Sequence, residues 1–239
     1  MPSSWYNHID FNVFDNQTKN GKENYPIVIS VDGMSFSGKT ILCSGLISYF
    51  KEHKIDLYAS KFPTKSEIGM LFKNHDLWKG NLHFPFEIMR ADRAWQFHME
   101  LKEVIKEQTK NPKLKVLILE RSLDSLLAMA SMCNINLEKV AKEDVRLNWR
   151  FPKPDLAIIL KVGKECFYQR KKQREEEGKL SKFDRWTNFY REAEAYNNVF
   201  NYHVLSRDYR SLLKVSTDHL KDKELIENVI SKLKRLEVI

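Results

Sequence analysis

Eight consecutive residues, Gly33-Met34-Ser35-Phe36-Ser37-Gly38-Lys39-Thr40, match the spacing G-x-x-x-x-G-K-[ST] in full. The glycines let successive backbone N–H groups wrap an anion, and the start of the following helix adds positive potential. In such a loop Lys39 reaches the β- and γ-phosphates of a nucleoside triphosphate, and the Thr40 hydroxyl ligates Mg²⁺. The chemistry requires a strand before the loop and a helix after it. Pro26 opens the β-branched run Ile27-Val28-Ile29-Ser30-Val31, and Ile41, Leu42, Leu46, Ile47 and Phe50 follow at helical spacing. Both conditions are met, so ATP and Mg²⁺ are the expected cofactors.

A second group of reactive side chains lies far along the chain. The apolar run Val116 to Leu119 ends in Glu120-Arg121-Ser122. A carboxylate there suits water-mediated Mg²⁺ binding, and the adjacent arginine can grip an acceptor phosphate with two hydrogen bonds. A third group is basic. Arg170 and Arg174 are four residues apart, hence on one helix face, with Lys171 and Lys172 beside them. Glu175-Glu176-Glu177-Gly178 then makes a hydrophilic, bendable tip. Phosphoryl transfer needs positive charge around the migrating group and exclusion of water, and a basic lid over about residues 170–184 supplies both. The base-reading Asn-Lys-x-Asp of GTPases is absent from the sequence, and Glu-Arg-Ser stands where ATPases place Asp-Glu. A small-molecule kinase is the class left.

The elements that must hold these groups are legible in outline. Short apolar strands are expected at 27–31, 56–61, 115–119, 156–160 and 211–215. Helical patterns run over 86–108, from about Leu123 to 148, over 164–176 and 183–204, and over a closing stripe of Leu225, Ile226, Val229, Ile230 and Leu233. Continuously apolar strands alternating with helices predict an α/β fold: a five-stranded parallel sheet covered on both faces, with a short basic lid. Residues 1–25 are polar and aperiodic and read as an N-terminal extension. Residues 26–239 form one kinase domain.

Composition narrows the partners. The chain has 239 residues, a formal charge of +8 and interleaved charges of both signs, as in Arg174-Glu175. That excess suits a nucleic acid, an anionic surface or a phosphorylated small molecule; with the loop present, a small-molecule nucleotide is the expected partner and nucleic acid is not. No apolar run reaches the ~18 residues of a membrane span, and no secretory signal is visible. Three scattered cysteines, Cys43, Cys133 and Cys166, suggest a cytoplasmic or other reducing compartment.

Four landmarks in order give the chain a family resemblance. They are the phosphate loop; Lys61-Phe62-Pro63-Thr64-Lys65 followed by Glu67-Ile68-Gly69; Glu120-Arg121-Ser122-Leu123-Asp124-Ser125; and Pro152-Lys153-Pro154-Asp155-Leu156. Together they resemble the thymidylate kinases within the nucleoside monophosphate kinases, over residues 27 to about 236. The resemblance implies transfer of the ATP γ-phosphate to a deoxynucleoside monophosphate, with dTMP the default. It implies catalytic roles for Lys39, Arg121 and the lid arginines Arg170 and Arg174, because Phe36 fills the loop position where some members carry an arginine. Arg121, Lys65 and Phe62 fall at acceptor positions, and Arg93 at that of a base-reading arginine. Ser125 falls at a pocket-shaping serine, and Phe183-Asp184 resembles a pair contacting the sugar or lid. Thr40 and Glu120 are the implied metal side chains. A homodimer through the helices near 86–108 and 123–148 is implied as well.

Three departures qualify the substrate. Ser35 replaces the loop acid that reads the sugar hydroxyl. Met89 stands at the base-stacking aromatic, with Phe86 one turn earlier as a substitute. Glu-Arg-Ser, in place of Asp-Arg-Tyr, resembles deoxynucleoside kinases. A deoxynucleoside kinase therefore stays open as an alternative, as does a nucleotide-binding protein without turnover. The former needs a carboxylate base after the second strand, where this chain has Lys61 and Lys65.

Overall fold

The structure, a computed structural model, describes residues 11–13, 26–73, 82–104, 107, 113–147, 153–180, 182–206, 211–218 and 220–235. The remainder of the 1–25 extension, residues 105, 106 and 108 of the long helical stretch, and Pro152 lie outside them.

Five strands run parallel: β2 (Ile27–Gly33), β3 (Leu57–Lys61), β4 (Val116–Glu120), β5 (Leu156–Lys161) and β6 (Ser211–Ser216). This is the expected sheet. To it the extension adds β1 (Phe11–Val13), antiparallel on β6, so the order is β1-β6-β5-β2-β4-β3. Three residues are too few to show a sequence period, which is why β1 was invisible there.

Alternation along β2 sorts the core into two layers. Ile29 and Val31 face α1 (Lys39–Glu52) and α9 (Asp222–Arg235), packing with Leu42, Leu46, Phe50, Leu225, Val229 and Leu233. On the other face lie α3 (His83–Trp95), α4 (Leu123–Met132), α5 (Leu137–Leu147) and α8 (Phe189–Ser206). A π-helical turn, Gln96–Leu101, carries Phe97 and Leu101 onto Val28, Leu117 and Leu119. Between these are α2 (Glu67–Lys73), α6 (Lys164–Glu176) and α7 (Lys182–Trp186).

Helix boundaries depart from periodicity where polar side chains cap them. The 183–204 stretch breaks after Trp186. Thr187 Oγ1 donates to the Asp184 carbonyl at 2.7 Å, and Asn188 Oδ1 accepts from Tyr190 N at 3.0 Å and Arg191 N at 3.3 Å, starting α8 afresh. The 123–148 stretch breaks at Asn134, whose φ of 57° lies in the left-handed region. All strand ends that matter converge at one edge: β2 delivers Gly33, β3 Lys61 and β4 Glu120. In an open parallel sheet, ligands bind in the crevice beyond those carboxyl ends.

Candidate active site

A cavity of about 300 Å³ opens at this edge, lined by residues 35–40 of the phosphate loop, by Ile41 and by residues from β3, α2, α3, β4, α4, α6, α7 and α8. Its volume is at the lower end of small-molecule sites.

The loop's backbone explains its glycines. Gly33 has φ 135°, and any Cβ there would run into the Leu160 backbone of β5. Gly38 has φ 87° and leads directly into α1. Phe36 also takes a positive φ, 61°, a conformation that strains a residue bearing Cβ. Packing holds it: its buried ring meets Phe167 of α6 edge-on, centroids 5.0 Å apart. Lys39 Nζ turns back onto the loop, donating to Gly33 O at 2.9 Å and to Met34 O. Burial, and next the nearby Arg121 guanidinium, pull its pKa down to about 7.

Thr40 and Glu120 meet. Thr40 Oγ1 donates to Glu120 Oε1 at 2.7 Å, and Lys61 Nζ lies 2.6 Å from the same oxygen and 3.2 Å from Thr40 Oγ1. Hydroxyl and carboxylate thus converge on a cation. That donor set fits Mg²⁺ held jointly with nucleotide phosphates. Among the described residues no group of three or more His, Cys, Asp or Glu could hold a metal by itself.

Arg121 follows with φ 68°, left-handed without being glycine. The strand on one side and a buried carboxylate on the other secure it. Its N–H donates to Val31 O at 2.9 Å. Asp32 accepts from Ser122 N and Oγ and from Ser125 N and Oγ, at 2.6 to 3.0 Å, clamping the first turn of α4. Ser125 therefore reaches the cavity wall as a clamp residue, its Oγ 3.3 Å from the Tyr196 hydroxyl. Burial, and then the neighbouring Asp124, raise the Asp32 pKa against the pull of these hydrogen bonds.

The apolar part of the lining includes Phe62, Phe72, Met89, Met129 and Met132. Asp92 pins the strand-end segment that carries Phe62, accepting from Thr64 N at 2.8 Å and Ser66 Oγ at 3.0 Å. Met89 lines the cavity as expected, but three expected acceptor residues do not. Arg93, 3% exposed, forms a two-pronged pair with Asp144 of α5 at 2.7 and 3.2 Å, which ties α3 to α5. Phe86 is buried in the same helix layer, away from the cavity wall. Lys65 is exposed; the cations that reach the wall from this side are Lys61 and Lys73.

The two lid arginines separate. Arg170 donates to Phe36 O at 2.9 Å and to Thr217 O at 2.8 Å, so its guanidinium braces the loop and does not line the cavity. Arg174 does line it, lying 5.5 Å above the Phe36 ring and 3.9 Å from Asp184. Lys171 Nζ donates to the carbonyls of Arg185 and Thr187, at 3.2 and 3.1 Å, fastening α6 to the end of α7.

The sequence profile of the family described as Thymidylate kinase matches residues 31–214. The chain belongs to the thymidylate kinase family. A protein of Pyrococcus abyssi named "Probable thymidylate kinase" is 27% identical over 213 residues, 86% of this chain and 95% of the relative. Relatives with the same name from Pyrobaculum aerophilum and Sulfolobus acidocaldarius are each 28% identical, over 61% and 62% of this chain and 70% of each relative. Membership makes the protein an ATP-dependent nucleotide kinase.

This thymidylate kinase family member carries site residues that pattern reading passed over. Lys61 stands out in the sequence only as a cation after the second strand, without an assigned contact, and Lys73 lies on a seven-residue helix with no sustained period. Asp32, just before the loop, is a lone acid ending an apolar strand. Glu192 and Tyr196, four apart on α8, line the cavity. Glu192 Oε2 accepts from Ser35 N at 2.5 Å. Burial raises the Glu192 pKa, while the Ser35 N–H and the Lys39 ammonium act against that rise. Their four-residue spacing puts both on one helix face, which is also how ordinary core positions look.

Proposed function

We propose that this nucleotide kinase transfers the ATP γ-phosphate to a deoxynucleoside monophosphate, dTMP in the first place. The observation that carries the reading is the charge of the cavity: Lys39, Lys61, Lys73, Arg121 and Arg174 face three carboxylates, Glu120, Asp184 and Glu192, beside an apolar wall. Such a site suits an acceptor already bearing phosphate, with an apolar face for a base. The name carried by the three relatives supports thymine as that base.

Residues 26–239 constitute the kinase domain, with the lid over about 170–184. The loop N–H groups and Lys39 hold the donor phosphates. Arg121, with Lys61 and Lys73 and with Lys65 as an outer cation, draws in the acceptor phosphate, and Arg174 brings positive charge from the lid. Thr40 and Glu120 would hold Mg²⁺, which when bound neutralises phosphate charge. Phe62 and Met89 contact the base; Arg93 acts indirectly, by fixing the helix that carries Met89. An anionic acceptor oxygen is already a nucleophile, so positioning and charge neutralisation are what the residues must provide. A neutral nucleoside is not favoured, because lysines stand where its carboxylate base would have to be.

We further place the protein in a reducing compartment, on the strength of three free cysteines. Among the described residues no helix is long and apolar enough to cross a membrane. A homodimer is proposed through the helices near 86–108 and 123–148, the first of which exposes Met99; light scattering tests it, and a monomer at all concentrations overturns it. The main test is ADP release with each nucleoside and each nucleoside monophosphate. Turnover of dTMP is expected. Turnover of nucleosides alone, or of nothing despite ATP binding, overturns the reading.

A further inference from the structure

Three carboxylates reach the cavity, and two of them already face a cation. Glu120 has Lys61 at 2.6 Å, and Asp184 has Arg174 at 3.9 Å. Glu192 differs. It is 4% exposed, it makes no ion pair among the described residues, and one oxygen is spent on the backbone N–H of Ser35. The other, Oε1, is buried and makes no well-formed hydrogen bond, although the Ser35 hydroxyl lies near enough to the carboxylate to stabilise its charge. An unsatisfied carboxylate oxygen under an otherwise ordered wall is costly, and such a group calls for a donor supplied from elsewhere.

The donor must be small, polar and close to the phosphates. Glu192 sits within electrostatic reach of Lys39 and Arg121, the two cations that flank the donor and acceptor phosphates. A phosphate cannot occupy the spot, because it would bring charge of the same sign against the carboxylate. The base belongs to the apolar wall of Phe62, Phe72 and Met89. What lies between phosphate and base is the sugar. On a deoxynucleoside 5′-monophosphate the sugar carries a single free hydroxyl, at the 3′ position. Glu192 lines the cavity, so its carboxylate stands beside the space a sugar would fill while Ser35 N holds the other oxygen.

We propose that the Glu192 carboxylate reads the 3′-hydroxyl of the acceptor sugar, making α8, rather than the phosphate loop, the source of the sugar-recognising acid in this chain. Ser35, at the loop position, contributes a backbone N–H that orients the carboxylate. The inference rests on the monophosphate acceptor reading above. It also explains why a small serine is accommodated in the loop: a longer acidic side chain there would meet the buried Glu192 with like charge.

The test pairs dTMP with its 3′-deoxy analogue in the wild type and in Glu192→Gln. A hydrogen bond to a charged, buried acceptor is worth about 10- to 100-fold. The wild type should therefore prefer dTMP over the analogue by that factor in kcat/KM. In Glu192→Gln the preference should shrink to about threefold or less, with dTMP losing activity and the analogue losing little. ATP affinity and thermal melting report whether the loop and fold survive the substitution. A preference unchanged in the variant, with both substrates slowed equally, overturns the assignment and leaves Glu192 as a brace for Ser35. If the variant does not fold, the wild type still decides: equal rates on the two acceptors overturn the proposal. No turnover of any monophosphate by the wild type overturns the acceptor reading, and Glu192 with it.

Discussion

The donor loop and the acceptor wall are built in opposite ways, although they share one cavity. The loop is eight consecutive residues between β2 and α1, and its shape follows from local backbone conformation at Gly33, Phe36 and Gly38. The wall has no contiguous piece. Phe62 comes from the end of β3, Lys73 from α2, Met89 from α3, Arg121 from the end of β4, Met129 from α4, and Glu192 from α8. Two of these pieces are held by separate buried polar clamps, Asp92 for the Phe62 segment and Asp32 for the Arg121 turn. A local loop takes most of its anion-wrapping shape from its own torsions, whereas a wall assembled from six elements can change its substrate when any one helix shifts.

Substitutions can break that comparison or sharpen it. The largest effect is expected outside the cavity: Arg93→Ala breaks the buried two-pronged pair with Asp144, costing about 3–5 kcal/mol of stability. Denaturant melts check this. A normal melt with a raised KM for dTMP would return Arg93 to the acceptor wall. Next, Lys39→Ala should lower kcat about 10²- to 10³-fold, as loss of a preorganised charge on the transferring group does. Arg121→Ala should cost at least ~100-fold in kcat/KM for the monophosphate, on the same basis, while ATP affinity changes little. Parallel loss of ATP affinity would mean that the two regions are not separable.

The smallest effect reports how the two regions communicate. Lys39 has its pKa pulled down to about 7, first by burial and then by Arg121. Bound phosphates favour its charged form, so ATP binding should take up roughly half a proton at pH 7 by linkage. The uptake grows toward pH 9, where free Lys39 is mostly neutral, and fades below about pH 6, where the lysine is charged in both states. Arg121→Ala raises the starting pKa and should reduce the uptake at pH 7. Calorimetry in buffers of different ionisation enthalpy measures it, and the titration of ATP itself cancels between the two proteins. Equal uptake in both would show that burial alone sets the Lys39 pKa.

The same contrast governs what could be read in advance. The strands were legible because a buried parallel strand is a short continuous apolar run, and Ile27 to Val31 or Leu156 to Leu160 can be little else. Capped breaks such as Thr187-Asn188 were not, because the apolar spacing carries on across them. Lys39, Thr40 and Arg121 announced themselves by adjacency to such strands. Arg93 did not betray its partner, since Asp144 lies 51 positions away on another helix.

Taken alone, the sequence determined the phosphate loop, the parallel sheet and the class of reaction, since each follows from residues close together in the chain. Tertiary structure alone decided which side chains line the cavity. It turned Arg170 and Arg93 away into braces and brought Lys61, Lys73 and Glu192 to the wall. The reason is physical: a local motif is defined by backbone torsions, but a buried charge goes wherever packing supplies its counter-charge or hydrogen bonds, and that partner can be any residue the fold brings near.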